Sequence, residues 1–262
     1  MSMKRLFTTF LVLAACIMAY AQDQTFSHEQ FTSSDNTTLK YRLLKPSETA
    51  KGDKFPLVLF LHGAGERGND NEKQMIHGSQ MFLNPVNREK HPAYVIMPQC
   101  PESGFWAYSV RPAALTELKA EDEMPPIFKA VKELLDSYLQ DPSVDKSRIY
   151  IMGLSMGAMA TYDMVVRFPE IFAAAIPICG AVEPERLKDI KGVNFRIYHG
   201  NADNVVPVEC SRKAYMALKE AGIKAELYEF PGCGHVSWNL AFSQPDFMKW
   251  LFAQKRKVRR TK

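Results

Sequence analysis

The segment Gly153-Leu154-Ser155-Met156-Gly157 has the G-x-S-x-G pattern, in which a serine lies between two glycines. It follows an apolar run at residues 149–152 and precedes a helical stretch that begins at residue 156, which predicts a strand–turn–helix junction. A serine hydroxyl is a weak nucleophile unless a sharp turn exposes it to a base. Glycine is favoured on both sides because a Cβ would crowd such a turn. The pattern therefore predicts that Ser155 is a nucleophile at the start of a helix, where backbone N–H groups stabilise developing negative charge.

A nucleophilic serine needs a base, and at this kind of junction the acid that orients the base comes between the two in the sequence. His235 lies in Pro231-Gly232-Cys233-Gly234-His235, a loop directly after the last predicted strand, and is the candidate base. His199 is not a candidate, because an acid that follows it would break this order. The other histidines are predicted to shape the loop after residue 61 (His62) or to lie on the surface (His28, His77 and His91).

The acid must lie between Ser155 and His235 and past the end of a strand. Asp203, in His199-Gly200-Asn201-Ala202-Asp203, follows the predicted strand at residues 195–198 by a short loop and is the candidate acid. Glu183 and Glu185, which follow the preceding predicted strand, are the alternative candidates for the acid. Two other carboxylates are expected to be solvated: Asp163, inside the helix after Ser155, and Asp189, in a polar helix.

A second glycine pattern, Gly63-Ala64-Gly65-Glu66-Arg67-Gly68, spells the G-x-G-x-x-G fingerprint and raises an NAD-dependent oxidoreductase as an alternative. Two features of that fingerprint are missing. The third glycine should open a helix, but residues 69–73 are wholly polar, and the acidic Glu89 precedes the next strand instead of ending it. The sequence also has no C-x-x-C or H-E-x-x-H ligand pair. We therefore expect neither a cofactor nor a metal.

The elements that must position these residues alternate between strands and helices. Leu39, Tyr41 and Leu43 alternate with polar residues and predict an antiparallel start. Beyond them, near-continuous apolar runs are typical of a sheet covered by helices on both faces. The alternation predicts one α/β domain with a doubly wound, mainly parallel sheet. The predicted strands are residues 57–61, 93–97, 149–152, 172–178, 195–198 and 225–230, and the predicted helices are residues 127–139, 156–167, 208–221 and 247–257.

Residues 1–21 have the features of a secretory signal peptide. Lys4 and Arg5 precede an apolar run at residues 6–18, and Ala19-Tyr20-Ala21 supplies a small-x-small cleavage site. The apolar run is shorter than the roughly 20 residues that a membrane-spanning helix needs. We therefore expect an exported protein, periplasmic or secreted.

Cleavage after the signal peptide leaves residues 22–262 as a single catalytic domain. An alternative is a lipoprotein anchored through Cys16, because residues 13–16 resemble a lipobox; membrane association is expected only in that case. An exported protein enters an oxidising compartment, where the four remaining cysteines can pair as disulfides. The alternative is that they stay as single buried thiols. They are Cys100, Cys179, Cys210 and Cys233.

The composition is that of an ordinary globular protein, with 262 residues of which 46% are hydrophobic and 24% charged. The formal net charge is +4. The excess of positive charge comes from Lys4, Arg5 and a basic tail, so the body of the chain is slightly acidic, and we expect no nucleic-acid partner. The basic residues of the tail are Lys255, Arg256, Lys257, Arg259, Arg260 and Lys262.

Four segments together resemble the α/β-hydrolase superfamily, and more narrowly its lidless phospholipase/carboxylesterase and dienelactone-hydrolase-like group, which includes exported bacterial esterases labelled predicted peptidases. The resemblance implies that Ser155 is the nucleophile, His235 the base and Asp203 its acid. It also implies an oxyanion hole formed by the backbone N–H groups of Ala64 and Met156, although the first segment departs from the H-G-G-G of some lipases. The four segments are Leu61-His62-Gly63-Ala64-Gly65, Gly153-Leu154-Ser155-Met156-Gly157, His199-Gly200-Asn201-Ala202-Asp203 and Gly232-Cys233-Gly234-His235.

The connection at residues 180–194 is too short for a helical cap, so Ser155 should be open to bulky substrates. Trp106, in the loop at residues 99–112, and Trp238, just after His235, are candidate substrate-binding residues, since aromatic faces stack on sugars or phenolic groups. Packing of the loop is the alternative role for these rings. Glu66 is a third candidate, with a surface role as its alternative.

These features predict an exported serine hydrolase, a carboxylesterase acting on small or carbohydrate-linked esters. A serine peptidase is the alternative that uses the same triad. An oxidoreductase and a non-catalytic binding module are weaker alternatives, because the dinucleotide fingerprint is incomplete and the triad is intact.

Overall fold

The computed structural model describes residues 25–47, 54–110 and 112–257. The predicted signal peptide at residues 1–21 and the alternative lipid site at Cys16 lie outside the described residues. The strands within them are β1 (Ser27–Thr32), β2 (Thr38–Leu44), β3 (Phe55–Leu61), β4 (Tyr94–Pro98), β5 (Val144–Leu154), β6 (Ala174–Ile178), β7 (Asn194–Gly200) and β8 (Ala225–Phe230).

These eight strands form one sheet in the order β1-β2-β4-β3-β5-β6-β7-β8. β1 and β2 form an antiparallel hairpin, and β2 also pairs antiparallel with β4. Every pairing from β4 to β8 is parallel. Because β3 and β5 lie in the middle of this sheet, both of their faces are covered by apolar side chains, as their near-continuous apolar sequences predict.

Helices cover both faces of the sheet. Those of the described residues are α1 (Ser79–Leu83), α2 (Pro85–Lys90), α3 (Pro126–Leu139), α4 (Met156–Arg167), α5 (Val208–Glu220), α6 (Trp238–Phe242) and α7 (Phe247–Ala253). On one face, residues of α3, α4 and α5, such as Leu134, Tyr162 and Ala214, pack in one apolar cluster. On the other face, residues of α1, α6 and α7, such as Phe82 and Leu251, pack in a second cluster. The predicted doubly wound, mainly parallel α/β sheet is therefore confirmed.

The last helix ends earlier than the sequence predicts. α7 stops at Ala253, and Gln254 has an extended backbone. The N–H of Arg256 donates a hydrogen bond of 2.8 Å to the carbonyl of Ser147, which draws the following chain along the sheet. The prediction of a helix to residue 257 is therefore wrong, because apolar periodicity carries no information about this tertiary hydrogen bond.

The connection between β6 and β7 contains one 3₁₀ turn, Pro184–Leu187, and no α-helix. Asp189 follows that turn as an exposed residue, so its predicted helix is wrong while its predicted exposure is correct.

None of the helices in the described ranges combines the length and apolar character that a bilayer crossing requires.

The four cysteines of the described residues are free thiols, and only Cys233 is partly exposed. Burial raises the pKa of Cys100 and of Cys179 to about 12 and that of Cys210 to about 11. Cys100, Cys179 and Cys210 are therefore single buried thiols that are neutral and pack in the interior.

Candidate active site

Ser155 lies at the sharp turn between β5 and α4. Its backbone has φ 52° and ψ −117°, a strained conformation for a residue with a side chain. A Cβ on Gly153 would collide with the carbonyl of Gly157, and one on Gly157 would collide with the carbonyl of Leu61. The N–H of Ser155 donates to the carbonyl of Ile178 at 2.9 Å, which fixes the turn against β6. The glycines are thus required where the sequence pattern places them.

Two hydrogen bonds join Ser155, His235 and Asp203 in a line. His235 Nδ1 lies 2.8 Å from Asp203 Oδ2, and His235 Nε2 lies 2.9 Å from Ser155 Oγ. Since a carboxylate only accepts hydrogen bonds, Nδ1 carries the proton and Nε2 is free to accept the serine hydroxyl. This is the geometry that general-base activation of a serine requires.

Asp203 is held as an anion by four donors. Burial alone would raise the pKa of this carboxyl, but hydrogen bonds from His199, His235 and the backbone N–H groups of Val206 and Val205 outweigh it and keep the pKa well below the usual value. The two backbone donors reach Oδ1 at 2.9 Å each, and the side chain is fully buried. A carboxylate held in this way remains charged beside an imidazolium.

His199 is a contact of Asp203 that the sequence does not reveal. Its ring is fully buried, with Nε2 2.8 Å from the carbonyl of Val206 and 3.3 Å from Asp203 Oδ2. Both of these groups are acceptors, so Nε2 carries a proton and donates. Nδ1 lies 2.7 Å from Ser211 Oγ. His199 therefore positions Asp203 but does not reach Ser155, in agreement with its exclusion as the base.

The loops that carry the acid and the base are fastened to each other. The N–H of Ala202 donates to the carbonyl of Cys233 at 2.9 Å, and the N–H of Gly232 donates to Asn201 Oδ1 at 2.8 Å. A Cβ on Gly200 would collide with the same Cys233 carbonyl, so this close approach needs glycine. The two loops hold Asp203 and His235 at a fixed distance.

The other acidic candidates do not contact His235. Glu183 pairs with Lys119 at 2.8 Å, and Glu185 is an exposed residue of the turn Pro184–Leu187. The prediction that Asp163 is solvated is wrong, because its carboxylate is buried and pairs with two arginines. Arg167 lies 2.7 Å and Arg186 2.6 Å from its carboxylate oxygens.

The proposed oxyanion donors Ala64 and Met156 line the same cleft as Ser155. Ala64 begins the 3₁₀ turn Ala64–Glu66 and Met156 begins α4, so their N–H groups are of the kind that has no acceptor within its own helix. Arg67 fixes the first loop, because its Nε donates to the carbonyl of Ala64 at 2.9 Å and its Nη1 to that of Gly104 at 3.1 Å.

His62 shapes this loop, as predicted. Burial lowers the pKa of His62 to about 4, so the ring is neutral. Its Nε2 accepts the N–H of Cys100 at 2.9 Å, and its Nδ1 donates to the carbonyl of Gly63 at 2.6 Å. The G-x-G-x-x-G segment thus contains a 3₁₀ turn fixed by side chains. A second 3₁₀ turn, Lys73–Met75, follows it in place of the helix that dinucleotide binding requires.

Trp106 is not a substrate-binding residue in this structure. It is fully buried, and its Nε1 donates to the carbonyl of His62 at 3.1 Å. Its neighbours Phe105 and Tyr108 line the cleft instead. The sequence places an aromatic group in this loop but does not determine which ring turns inward.

The cleft has a volume of about 380 Å³ and is lined mainly by apolar and aromatic side chains. Glu66 and Trp238, the other two candidate substrate-binding residues, belong to its lining. The ring of Trp238 lies edge-on to that of His235 at 5.5 Å. His77, predicted to be on the surface, is partly buried against Glu66 and Trp238, which corrects that prediction.

Three potential metal ligands lie together: Cys179, Asp203 and His235 have ligand atoms within 4.8 Å of one another. A metal site needs a thiolate and a free imidazole nitrogen. Here burial keeps the thiol of Cys179 protonated, and both ring nitrogens of His235 are engaged by Asp203 and Ser155. This donor set fits proton transfer better than metal binding.

The chain is similar to known esterases in sequence and in fold. The sequence model of the family Phospholipase/Carboxylesterase matches residues 48–246. The crystal structure of a thermostable esterase is 34% identical, with a TM-score of 0.81, over 88% of this chain and 64% of that chain. Probable carboxylesterase SOBER1-like of Arabidopsis thaliana is 27% identical over 68% of this chain and 71% of its own length.

Feruloyl esterase B of Thermothelomyces thermophilus is 29% identical over 67% of this chain and 54% of its own length. The chain thus spans about half of that relative and less than two thirds of the thermostable esterase.

Proposed function

Because this chain belongs to the phospholipase/carboxylesterase family of α/β-hydrolases, we propose that it is an exported carboxylesterase with Ser155 as its nucleophile. The observation that carries the proposal is the line of hydrogen bonds from Ser155 Oγ through His235 to Asp203 Oδ2. Each atom in that line has the protonation state that ester cleavage needs at its start.

In the first half of the reaction, Ser155 Oγ attacks the ester carbonyl carbon while His235 Nε2 takes the hydroxyl proton. The carbonyl oxygen becomes an oxyanion that accepts hydrogen bonds from the N–H groups of Ala64 and Met156. Asp203 stabilises the imidazolium but does not take its proton. The tetrahedral intermediate then collapses, the C–O bond to the alcohol breaks, and His235 gives its proton to the leaving oxygen.

In the second half, water attacks the acyl group on Ser155 and His235 takes a proton from that water. A second tetrahedral intermediate collapses, the carboxylic acid leaves, and the proton returns to Ser155 Oγ. The site therefore ends in its starting state. The side chain of Asp203 is fully buried, while that of His235 is 20% exposed. Asp203 is thus shielded from solvent, and His235 can be reached by the ester and by water.

We further propose that the substrates are small or carbohydrate-linked esters. The aromatic lining from Phe105, Tyr108 and Trp238 supports this proposal, because such rings bind sugars and phenolic acyl groups. A relative named for feruloyl ester cleavage adds support. The β6–β7 connection, which carries one 3₁₀ turn, leaves the cleft accessible to a bulky ester.

Export rests on residues 1–21, whose charge, apolar run and cleavage site suit a signal peptide. The test is the intact mass of the protein recovered after expression of the full chain in a bacterium. A mature chain that begins at Gln22 supports export with cleavage. A lipid on Cys16 would establish the anchored alternative, and an uncut chain in the cytoplasm would contradict export.

The function is tested with p-nitrophenyl esters, acetylated and feruloylated sugars, and aminoacyl amides. We expect turnover of esters that is lost in Ser155→Ala, with amides cleaved far more slowly. Activity on amides with none on esters would identify a serine peptidase and overturn the esterase proposal.

A further inference from the structure

Two residues that line the cleft each have a buried polar atom with no hydrogen-bond partner among the described residues: Oε2 of Glu66 and Nε1 of Trp238. One is an acceptor and the other a donor. Buried polar groups in native proteins nearly always have a hydrogen-bond partner. The lack of one for both atoms, in residues that line a catalytic cleft, therefore points to a ligand that forms these hydrogen bonds.

The two residues belong to one wall, with His77 between them. His77 Nε2 lies 3.5 Å from Glu66 Oε1, and the rings of His77 and Trp238 lie 5.2 Å apart. Glu66 is only 8% exposed, so its carboxylate is held in place by its surroundings. Rotation about its soft terminal torsion exchanges the two oxygens without moving the chain.

This wall lies beside His235, since the Trp238 ring meets the His235 ring edge-on at 5.5 Å. In ester cleavage by the proposed triad, His235 donates a proton to the departing alcohol oxygen. The alcohol part of the substrate therefore leaves past His235, next to Trp238 and the residues packed against it.

We propose that Glu66 and Trp238 select esters whose alcohol carries further hydroxyl groups, as in a sugar or another polyol. This inference rests on the proposed esterase function. A hydroxyl group can donate to Glu66 Oε2 and another can accept from Trp238 Nε1, so a polyol pairs both atoms. A simple alkyl alcohol pairs neither of them. An ammonium group would satisfy Glu66 but has no lone pair for the indole N–H.

The test compares esters of one acyl group with ethanol, glycerol and glucose. For the wild type we expect kcat/KM to be higher for the glyceryl and glucosyl esters than for the ethyl ester. Glu66→Gln and Trp238→Phe should each lower the ratio of glucosyl to ethyl kcat/KM by about tenfold, the loss expected for one hydrogen bond. The matched control Glu220→Gln, an exposed position at the end of α5, should keep the wild-type ratio.

Fluorophosphonate labelling of Ser155 verifies that each variant is folded, and Trp238→Phe carries the test if Glu66→Gln does not fold. An unchanged ratio in the folded variants would overturn the inference while leaving the esterase function standing, as would a wild type that prefers the ethyl ester. A wild type that cleaves none of these esters would overturn the proposed function itself.

Discussion

At the scale of single residues, the site depends on a charge that is kept buried. Asp203 is hidden from solvent, yet it faces donors from His199, His235 and two backbone N–H groups. These donors make an anion stable where burial alone would neutralise it. The buried charge is what allows His235 to become an imidazolium during the reaction.

Asp203→Asn should therefore remove most of the activity while keeping the size of the side chain. The amide cannot stabilise the imidazolium and favours the wrong tautomer, and the comparable change in a serine protease lowers kcat by about ten-thousandfold. The measurement is kcat on one p-nitrophenyl ester. Asp189→Asn, at an exposed position, serves as the control and should stay within about threefold of the wild type. A near-normal Asp203→Asn together with an inactive Glu183→Gln would mean that the acid follows β6 instead.

The same carboxylate makes stability depend on pH. The pKa of Asp203 is lowered by folding from an ordinary value of 3.8, so its contribution is fully present above that value and is lost as the pH falls through the lower folded pKa. We expect the difference in the free energy of unfolding between wild type and Asp203→Asn to shrink below about pH 4. Urea unfolding of both proteins between pH 7 and pH 3 measures it. A difference that grows toward acid pH would contradict the account.

The catalytic roles of these residues can be predicted from the sequence. The hydrogen-bond partners and side-chain orientations around them cannot. Order and strand-end placement select Ser155, Asp203 and His235, since these depend on local pattern. The inward turn of Trp106 depends on a contact with a distant segment, the carbonyl of His62. The contacts of His199 with Asp203 and Ser211 depend on how the chain after β7 folds back against its ring. A short apolar pattern does not encode those contacts.

At the scale of elements, the junction of β5 and α4 sets the position of the nucleophile. β5 delivers Ser155 to the carboxyl edge of the sheet, and the close approach of Gly157 to the end of β3 leaves no space for a side chain. Apolar runs and glycine spacing suffice to predict this junction. The end of α7 is not predictable in this way, because it depends on the hydrogen bond between Arg256 and Ser147.

Gly157→Ala should destabilise the fold, since its Cβ would meet the backbone carbonyls of both Leu61 and His62. Forcing an extra carbon into a packed site costs about 1–3 kcal/mol or more. The measurement is the thermal midpoint Tm. Gly65→Ala is the matched control, because a Cβ there meets no atom within 4 Å. Equal Tm values for the two variants would show that the junction tolerates a side chain.

At the scale of the whole molecule, catalysis and basic charge occupy opposite edges of the sheet. Ser155, Asp203 and His235 follow the carboxyl ends of β5, β7 and β8. Lys255 and Lys257 lie instead near Lys191 and Asn194, at the amino end of β7. The parallel sheet thus separates Lys255 and Lys257, the lysines of the basic tail within the described residues, from the reacting ester.

Deletion of residues 257–262 should therefore leave kcat/KM on a neutral ester unchanged. Lys257, the one deleted residue within the described ranges, lies away from the cleft, and we expect the basic charges to contribute to solubility more than to catalysis. The measurement is kcat/KM for full-length and truncated protein at the same ionic strength. A large loss would place the tail in the site or in a partner interface.

The central claim, that Ser155 is an activated nucleophile, is tested most directly by covalent labelling. A fluorophosphonate reacts with an activated serine, and peptide mass spectrometry locates the adduct. We predict a single adduct on Ser155, no labelling of Ser155→Ala, and a loss of kcat in that variant on the order of a millionfold. An adduct on another residue, or full ester turnover by Ser155→Ala, would contradict the account.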